Sequence, residues 1–91
     1  MSRDIAWTTQ FKRDYKFAMK RNWDISLLDE CIRMIATGVE LPPKFRDHDL
    51  SGKWTGHREC HVQPDWLLVY RIDGNDLILV LSRTGSHSDL F

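Results

Sequence analysis

From Gly56 onward the apolar residues stop recurring at helical spacing and fall into continuous runs. HRECHV, LLVYRI and LILVLS succeed one another, separated by a break around Pro64 and by the DGND segment. Runs rich in Val, Leu and Ile, bounded by turn residues, read as strands, and connections this short join antiparallel neighbours. A chain of 91 residues has room for one sheet with a helix or two against it, so residues 1–91 are expected to form one domain.

The first half follows a different period. RDIAW, residues 3–7, suits a short first strand, and Thr8 or Thr9 is available to cap a helix. Phe11, Tyr15, Ala18 and Met19 then recur on one side, while Lys12, Arg13, Lys16 and Lys20 fall largely on the other. After a turn at residues 22–24, Ile25, Leu28, Ile32 and Ile35 or Ala36 form a second apolar stripe, with Asp24 or Ser26 as its cap and Gly38 as its stop. The break between these helices is short enough for a hairpin. The expected fold class is therefore α+β, an antiparallel sheet packed against an N-terminal helical hairpin. Between the two halves lies LPPKFRDHDLSGKW, long for a small domain and carrying Lys44, Arg46, His48 and Lys53; loops of this length tend to be functional.

Formal charge is zero, which argues against a polycation coating nucleic acid in bulk. The signs are nevertheless uneven: residues 1–21 hold Arg3, Lys12, Arg13, Lys16, Lys20 and Arg21 against Asp4 and Asp14. Such a face can meet phosphates locally or simply keep the helix solvated. No stretch approaches the length of a membrane span, and residues 1–20 lack the apolar core of a signal peptide, so no membrane association and a cytoplasmic location are expected. Cys31 and Cys60 form no C-x-x-C, and Cys31 falls among the apolar positions of the second helix as a small buried hydrophobe.

The polar residues near the strand ends are the candidates for chemistry. His61 and Asp65 are separated by Pro64, so both can converge at one end of the sheet, where Arg83 and His87 of the last strand return; His48 can be supplied by the loop. Cutting an RNA phosphodiester without metal needs a base at the 2′-hydroxyl, a cation at phosphorus and an acid at the departing 5′-oxygen. Histidine serves as base or acid, and arginine grips phosphate without releasing its proton. Trp66 and Phe91 are candidates to hold an unstacked base. The plainer reading gives His61 a structural hydrogen bond, Asp65 a turn contact, Arg83 a pairing with Asp65 or the carboxyl terminus, and Trp66 a place in the core. His48, His61, Asp65 and His87 are also metal-ligand types, but their spacing lacks the short motifs of a metal site, and no metal or cofactor is expected.

The segments DHDLSGKWTGHRECHVQPDWLLVY and LSRTGSHSDLF together resemble the YafQ branch of the RelE/ParE toxin superfamily, toxins of bacterial type II toxin-antitoxin systems. The likeness extends over nearly the whole chain. It implies a RelE-like, microbial-ribonuclease-type fold that enters the ribosomal A site of the 70S ribosome and cleaves bound mRNA, leaving 2′,3′-cyclic phosphate and 5′-hydroxyl ends. It also implies roles. His48 matches the loop histidine, His61 and Asp65 the central catalytic pair, Trp66 the adjacent aromatic, Arg83 the phosphate-contacting arginine, His87 the general acid and Phe91 the terminal aromatic. The choice of base between His61 and Asp65 stays open.

The same resemblance gives Lys12, Arg13, Lys16, Lys20, Arg21, Lys44, Arg46 and Lys53 to the ribosomal RNA backbone, where contacts position without reading sequence. It implies a cognate DinJ-like antitoxin, with operator DNA bound only through that complex. Gln63 stands where the branch commonly carries glutamate, which removes one negative charge beside His61. Two other functions share the general fold: inhibition of DNA gyrase in the manner of ParE, and silent binding of an antitoxin. Neither requires the histidine-aspartate constellation.

Overall fold

The computed structural model describes residues 2–91. Strand β1 spans Asp4–Trp7 and leads into helix α1, Thr9–Lys20. Thr8 is the cap: its side chain accepts from the Phe11 backbone N–H and its hydroxyl donates to the Leu81 carbonyl at 2.8 Å, fixing the start of α1 to the sheet. Helix α2, Ile25–Ala36, is capped by Asp24, and Gly38 at φ 79° ends it in the left-handed conformation that glycine tolerates. Then come β2 (His48–Asp49), β3 (Arg58–Gln63), β4 (Trp66–Asp73), β5 (Ile78–Gly85) and helix α3 (His87–Leu90).

These strands form one five-stranded sheet in the order β1-β5-β4-β3-β2. The β3-β4-β5 unit is antiparallel, as the short breaks require, whereas β1 runs parallel to β5 at the far edge from β2, so the α1-α2 segment carries the chain from one edge of the sheet to the other. Side chains alternate across the sheet. Cys60, Leu68 and Leu81 meet Phe11, Leu28 and Ile32 of the helices in the main core, while Leu67 and Val69 point the other way and are covered by Leu90, Leu50 and Trp54. Helix α1 packs on β5 and α2 on β3. Phe11 and Leu28 are fully buried, each contributing about 1.5–3 kcal/mol.

The apolar stripe of α1 departs from expectation at Met19, which is 53% exposed. The buried turn is instead Phe11, Asp14 and Ala18, spaced three and four apart on one face, and it includes a carboxylate because Arg83 of β5 lies against it. The long central loop is also more ordered than its composition suggests. It holds two 3₁₀ turns, Pro43–Phe45 and Gly52–Trp54, and adds β2 to the sheet edge. Among the described residues, no helix is long and apolar enough to cross a membrane.

Candidate active site

One row of the sheet carries His48 on β2, Glu59 on β3, Val69 on β4 and Arg83 on β5, each opposite the next in register. His61 is two residues further along β3, on the same face as Glu59. The β3-β4 connection is tight, with a register shift between His61 and Gln63, and it brings Asp65 round to the end of β5, where α3 begins at His87. The three imidazoles thus form a line: ring centres are 6.3 Å apart for His48 and His61, and 5.9 Å for His61 and His87.

Each ring is oriented through Nδ1. His48 donates to the Arg46 carbonyl at 2.7 Å, and Arg46 reaches that position by adopting the left-handed conformation at φ 51°. His61 donates from Nδ1 to the Pro64 carbonyl at 3.3 Å. A carbonyl only accepts, so both rings carry their hydrogen on Nδ1 and leave Nε2 as the free acceptor. Those two Nε2 atoms face the same group, Glu59, at 3.6 Å from His48 and 3.7 Å from His61. The Glu59 side chain is only 7% exposed. A proton arriving at either Nε2 therefore meets a buried carboxylate.

His87 is held differently. Its Nδ1 donates to Asp65 Oδ1 at 2.8 Å and its backbone N–H donates to the same oxygen at 3.1 Å. These bonds hold the Asp65 carboxyl below the usual carboxylate range, with the His87 side chain the larger cause. With Nδ1 turned to Asp65, the His87 side chain is still 55% exposed. Ser86 caps α3 in a reciprocal capping box with Asp89, and Arg21 pairs with Asp89 at 2.9 Å. Arg21 also stacks on Trp23 and Phe17, so this end of the basic helix holds α3 in place.

The loop that presents His48 is fixed from β3. Arg58 bridges Asp47 at 2.9 Å and Asp49 at 2.6 Å, one on each side of His48, and Tyr70 donates to Asp47 at 2.6 Å. Burial and the Asp47 carboxylate push the Tyr70 phenol well up, so it stays a donor.

Two sequence expectations are corrected. Trp66 is 2% exposed, its indole N–H donating to Thr84 at 2.9 Å and its ring beside Trp23; a ring buried there cannot stack on a substrate base. Arg83 pairs neither with Asp65 nor with the carboxyl terminus but with Asp14, Nε to Oδ2 at 2.7 Å and Nη2 to Oδ1 at 3.3 Å. Its place two strands from Glu59 sets its backbone about 10 Å from that residue.

Phe91 is 57% exposed and lies edge-on to Trp54, open to a ligand. Lys44 and Arg46 lie beside His61, around one cleft. Lys12, Arg13 and Lys16 are exposed along α1, and Lys53 is exposed in the second 3₁₀ turn, none of them hydrogen-bonded into the histidine line. Sequence reading missed Glu59 and Asp14. The signal for Glu59 was present, a carboxylate two residues before His61 on one strand and hence on its face.

Among the described residues, no three His, Cys, Asp or Glu side chains converge as a metal-ligand set. The arrangement suits proton transfer: an exposed imidazole held by a carboxylate, and a second imidazole whose Nε2 faces another carboxylate.

The family described as bacterial toxin of type II toxin-antitoxin system, YafQ, matches residues 3–91. The mRNA interferase toxin YafQ of Escherichia coli K12 is 38% identical over 92 residues, covering 100% of this chain and 98% of that protein. The crystal structure of the E. coli DinJ-YafQ toxin-antitoxin complex superposes with a TM-score of 0.90 at 38% identity, covering 100% of this chain and 99% of the other. A metal-bound toxin from Helicobacter pylori gives a TM-score of 0.90 at 42% identity over 100% of both chains.

Proposed function

Because the chain belongs to the YafQ family of toxins from bacterial type II toxin-antitoxin systems, we propose that it is an mRNA endoribonuclease working by acid-base catalysis without metal, on mRNA in the ribosomal A site. The observation that carries the reading is the Asp65-bound His87 standing 5.9 Å, ring centre to ring centre, from His61. That spacing leaves a phosphate group room to lie against both rings. His61 removes the 2′-hydroxyl proton, the 2′-oxygen attacks phosphorus, and the bond to the 5′-oxygen breaks as His87 Nε2 protonates it. The products are a 2′,3′-cyclic phosphate and a 5′-hydroxyl.

The base is His61 and not Asp65. A carboxyl held below its ordinary range is a weak base, and this one is committed to His87. Glu59 accepts the proton's charge behind His61, His48 steadies the phosphate or shares that proton, and Arg83 offers Nη1 to the developing negative charge, an interaction that can supply much of a catalytic effect. Phe91 holds a base.

The wider reading follows the family. The five-stranded sheet with α1 and α2 against it supports a place in the RelE/ParE superfamily, with residues 1–91 acting as one toxin unit in the cytoplasm. Lys12, Arg13, Lys16 and Lys53 face ribosomal RNA phosphates. A DinJ-like antitoxin neutralises the toxin, as the DinJ-YafQ complex suggests, and operator DNA is reached only through such a complex.

The test compares the purified protein with His87→Ala on ribosomes programmed with mRNA, in EDTA, with cut sites and end groups mapped. Cuts in A-site codons with cyclic phosphate ends, lowered about 10²- to 10⁴-fold in the variant, are expected. A folded, ribosome-bound wild-type protein that makes no cuts would sink the reading, and cuts abolished by EDTA would replace its metal-free chemistry.

A further inference from the structure

A cleft of about 430 Å³ opens beside His61, between α2, the 3₁₀ turn at Pro43–Phe45 and the β3-β4 connection. Its walls include Leu27, Phe45 and Pro64, and Leu27 is 36% exposed although apolar. Lys44 and Arg46 stand along it, the Lys44 ammonium 5.2 Å from the centre of the Phe45 ring. Gln63, at the end of β3, is exposed and also lines it. The one carboxylate in the lining, Glu30, is already paired with Arg33.

This combination selects the chemistry of an occupant. Apolar walls with an aromatic ring favour a flat, weakly hydrated body. Two cations at the same opening favour an anion attached to it. Gln63 presents a donor and an acceptor side by side, the pair that an amide uses to read the edge of a base. A nucleotide has all three features, and single-stranded RNA is read by stacking unpaired bases on such rings while their edges are hydrogen-bonded. His61 belongs both to the cleft lining and to the histidine line, so the two sites meet at one residue.

We propose that this cleft is a nucleobase subsite for the nucleotide next to the bond cut. Phe45 and Pro64 lie against the base, Gln63 reads its edge, and Lys44 and Arg46 hold its phosphate. The proposal rests on the ribonuclease reading above and deepens it by making Gln63 a specificity-determining residue. Glutamate in its place could only accept, so Gln63→Glu should reorder the preference among bases and not merely weaken it.

The experiment is a ¹H-¹⁵N NMR titration of the full chain with each of the four nucleoside 3′-monophosphates, and with inorganic phosphate as control. At least one nucleotide should give saturable shifts at the amides of Phe45, Val62 and Gln63 that phosphate alone does not give. Phe45→Ala should weaken that binding about tenfold or more, the scale of one lost stacking contact. Gln63→Glu, a surface change that leaves the fold intact, should alter the ranking of the four.

Shifts confined to His48, His61 and His87, or an equal loss for all four nucleotides in Gln63→Glu, would overturn the subsite. So would cleft substitutions that leave nucleotide binding intact and weaken only the antitoxin complex, which would give the cleft to a protein segment. Ribosomal cleavage without nucleotide shifts at the cleft removes the subsite and leaves the nuclease reading; cleft binding without cleavage does the reverse.

Discussion

Asp65 Oδ1 accepts two hydrogen bonds from one residue, His87, whose Nδ1 lies at 2.8 Å and whose backbone nitrogen lies at 3.1 Å. One carboxylate oxygen therefore fixes both the imidazole tautomer and the first turn of α3. That double bond to a charged acceptor lowers the Asp65 pKa. In ¹³C-detected titration its midpoint should lie below the reference of about 3.9, and His87→Ala should bring it back up. The stabilising contribution is present above the unfolded-state value and is lost as pH falls through the folded one. A midpoint unchanged by His87→Ala would contradict the pairing.

Glu59 supplies a second prediction. Glu59→Gln keeps the volume at a 5% exposed position and removes the charge that His48 and His61 face through Nε2. Cleavage should fall about tenfold to a hundredfold, less than the 10²- to 10⁴-fold loss for a group that itself moves the proton. The ring ¹⁵N resonances of His48 and His61 should move while those of His87 stay. Unchanged rings with lost activity would give Glu59 a purely structural part.

These two relationships mark the limit of what the sequence discloses. The strand unit β3-β4-β5 was legible because its runs are apolar and its breaks short, and the caps at Thr8 and Asp24 because few residue types do that work. The convergence of His61, Asp65 and His87 followed from placing Pro64 at a strand end. What stayed hidden depended on partners distant in the chain. Asp14 reads as one more charge on a basic helix until β5 brings Arg83 to it, 69 residues away. His48 reads as a loop residue until two residues of β2 pair with Arg58 and Glu59. Trp66 has the same aromatic signature in a core as at a binding surface, and only burial separates the two.

Asp14→Asn tests the partner found for Arg83. The carboxylate is 9% exposed and accepts from Arg83 Nε at 2.7 Å and from the Thr84 backbone N–H at 3.1 Å. An amide of the same shape leaves the half-buried guanidinium without its counter-charge, at a cost of about 2–4 kcal/mol, a large share of the stability of a small domain. Urea unfolding should show a lower midpoint with an unchanged slope. A shift under about 0.5 kcal/mol, the range of ordinary surface substitutions, would mean the pair contributes little to folding.

Trp66→Phe separates a core role from a substrate role at the residue whose expected function changed most. In the core, the indole N–H is the donor to Thr84 Oγ1 at 2.9 Å, and that hydroxyl donates onward to the Leu67 carbonyl at 2.7 Å. Phenylalanine retains most of the packing but leaves the Thr84 oxygen without its donor in a site closed to water. The expected cost is about 1–3 kcal/mol for that lost bond, with a further contribution from the smaller ring. Because the ring does not reach the surface, the folded variant should bind programmed ribosomes with unchanged affinity and cut at the same positions. A stacking role predicts the opposite pattern, weakened binding with stability nearly preserved. Thermal unfolding and ribosome-binding titration on the same preparation therefore distinguish the two.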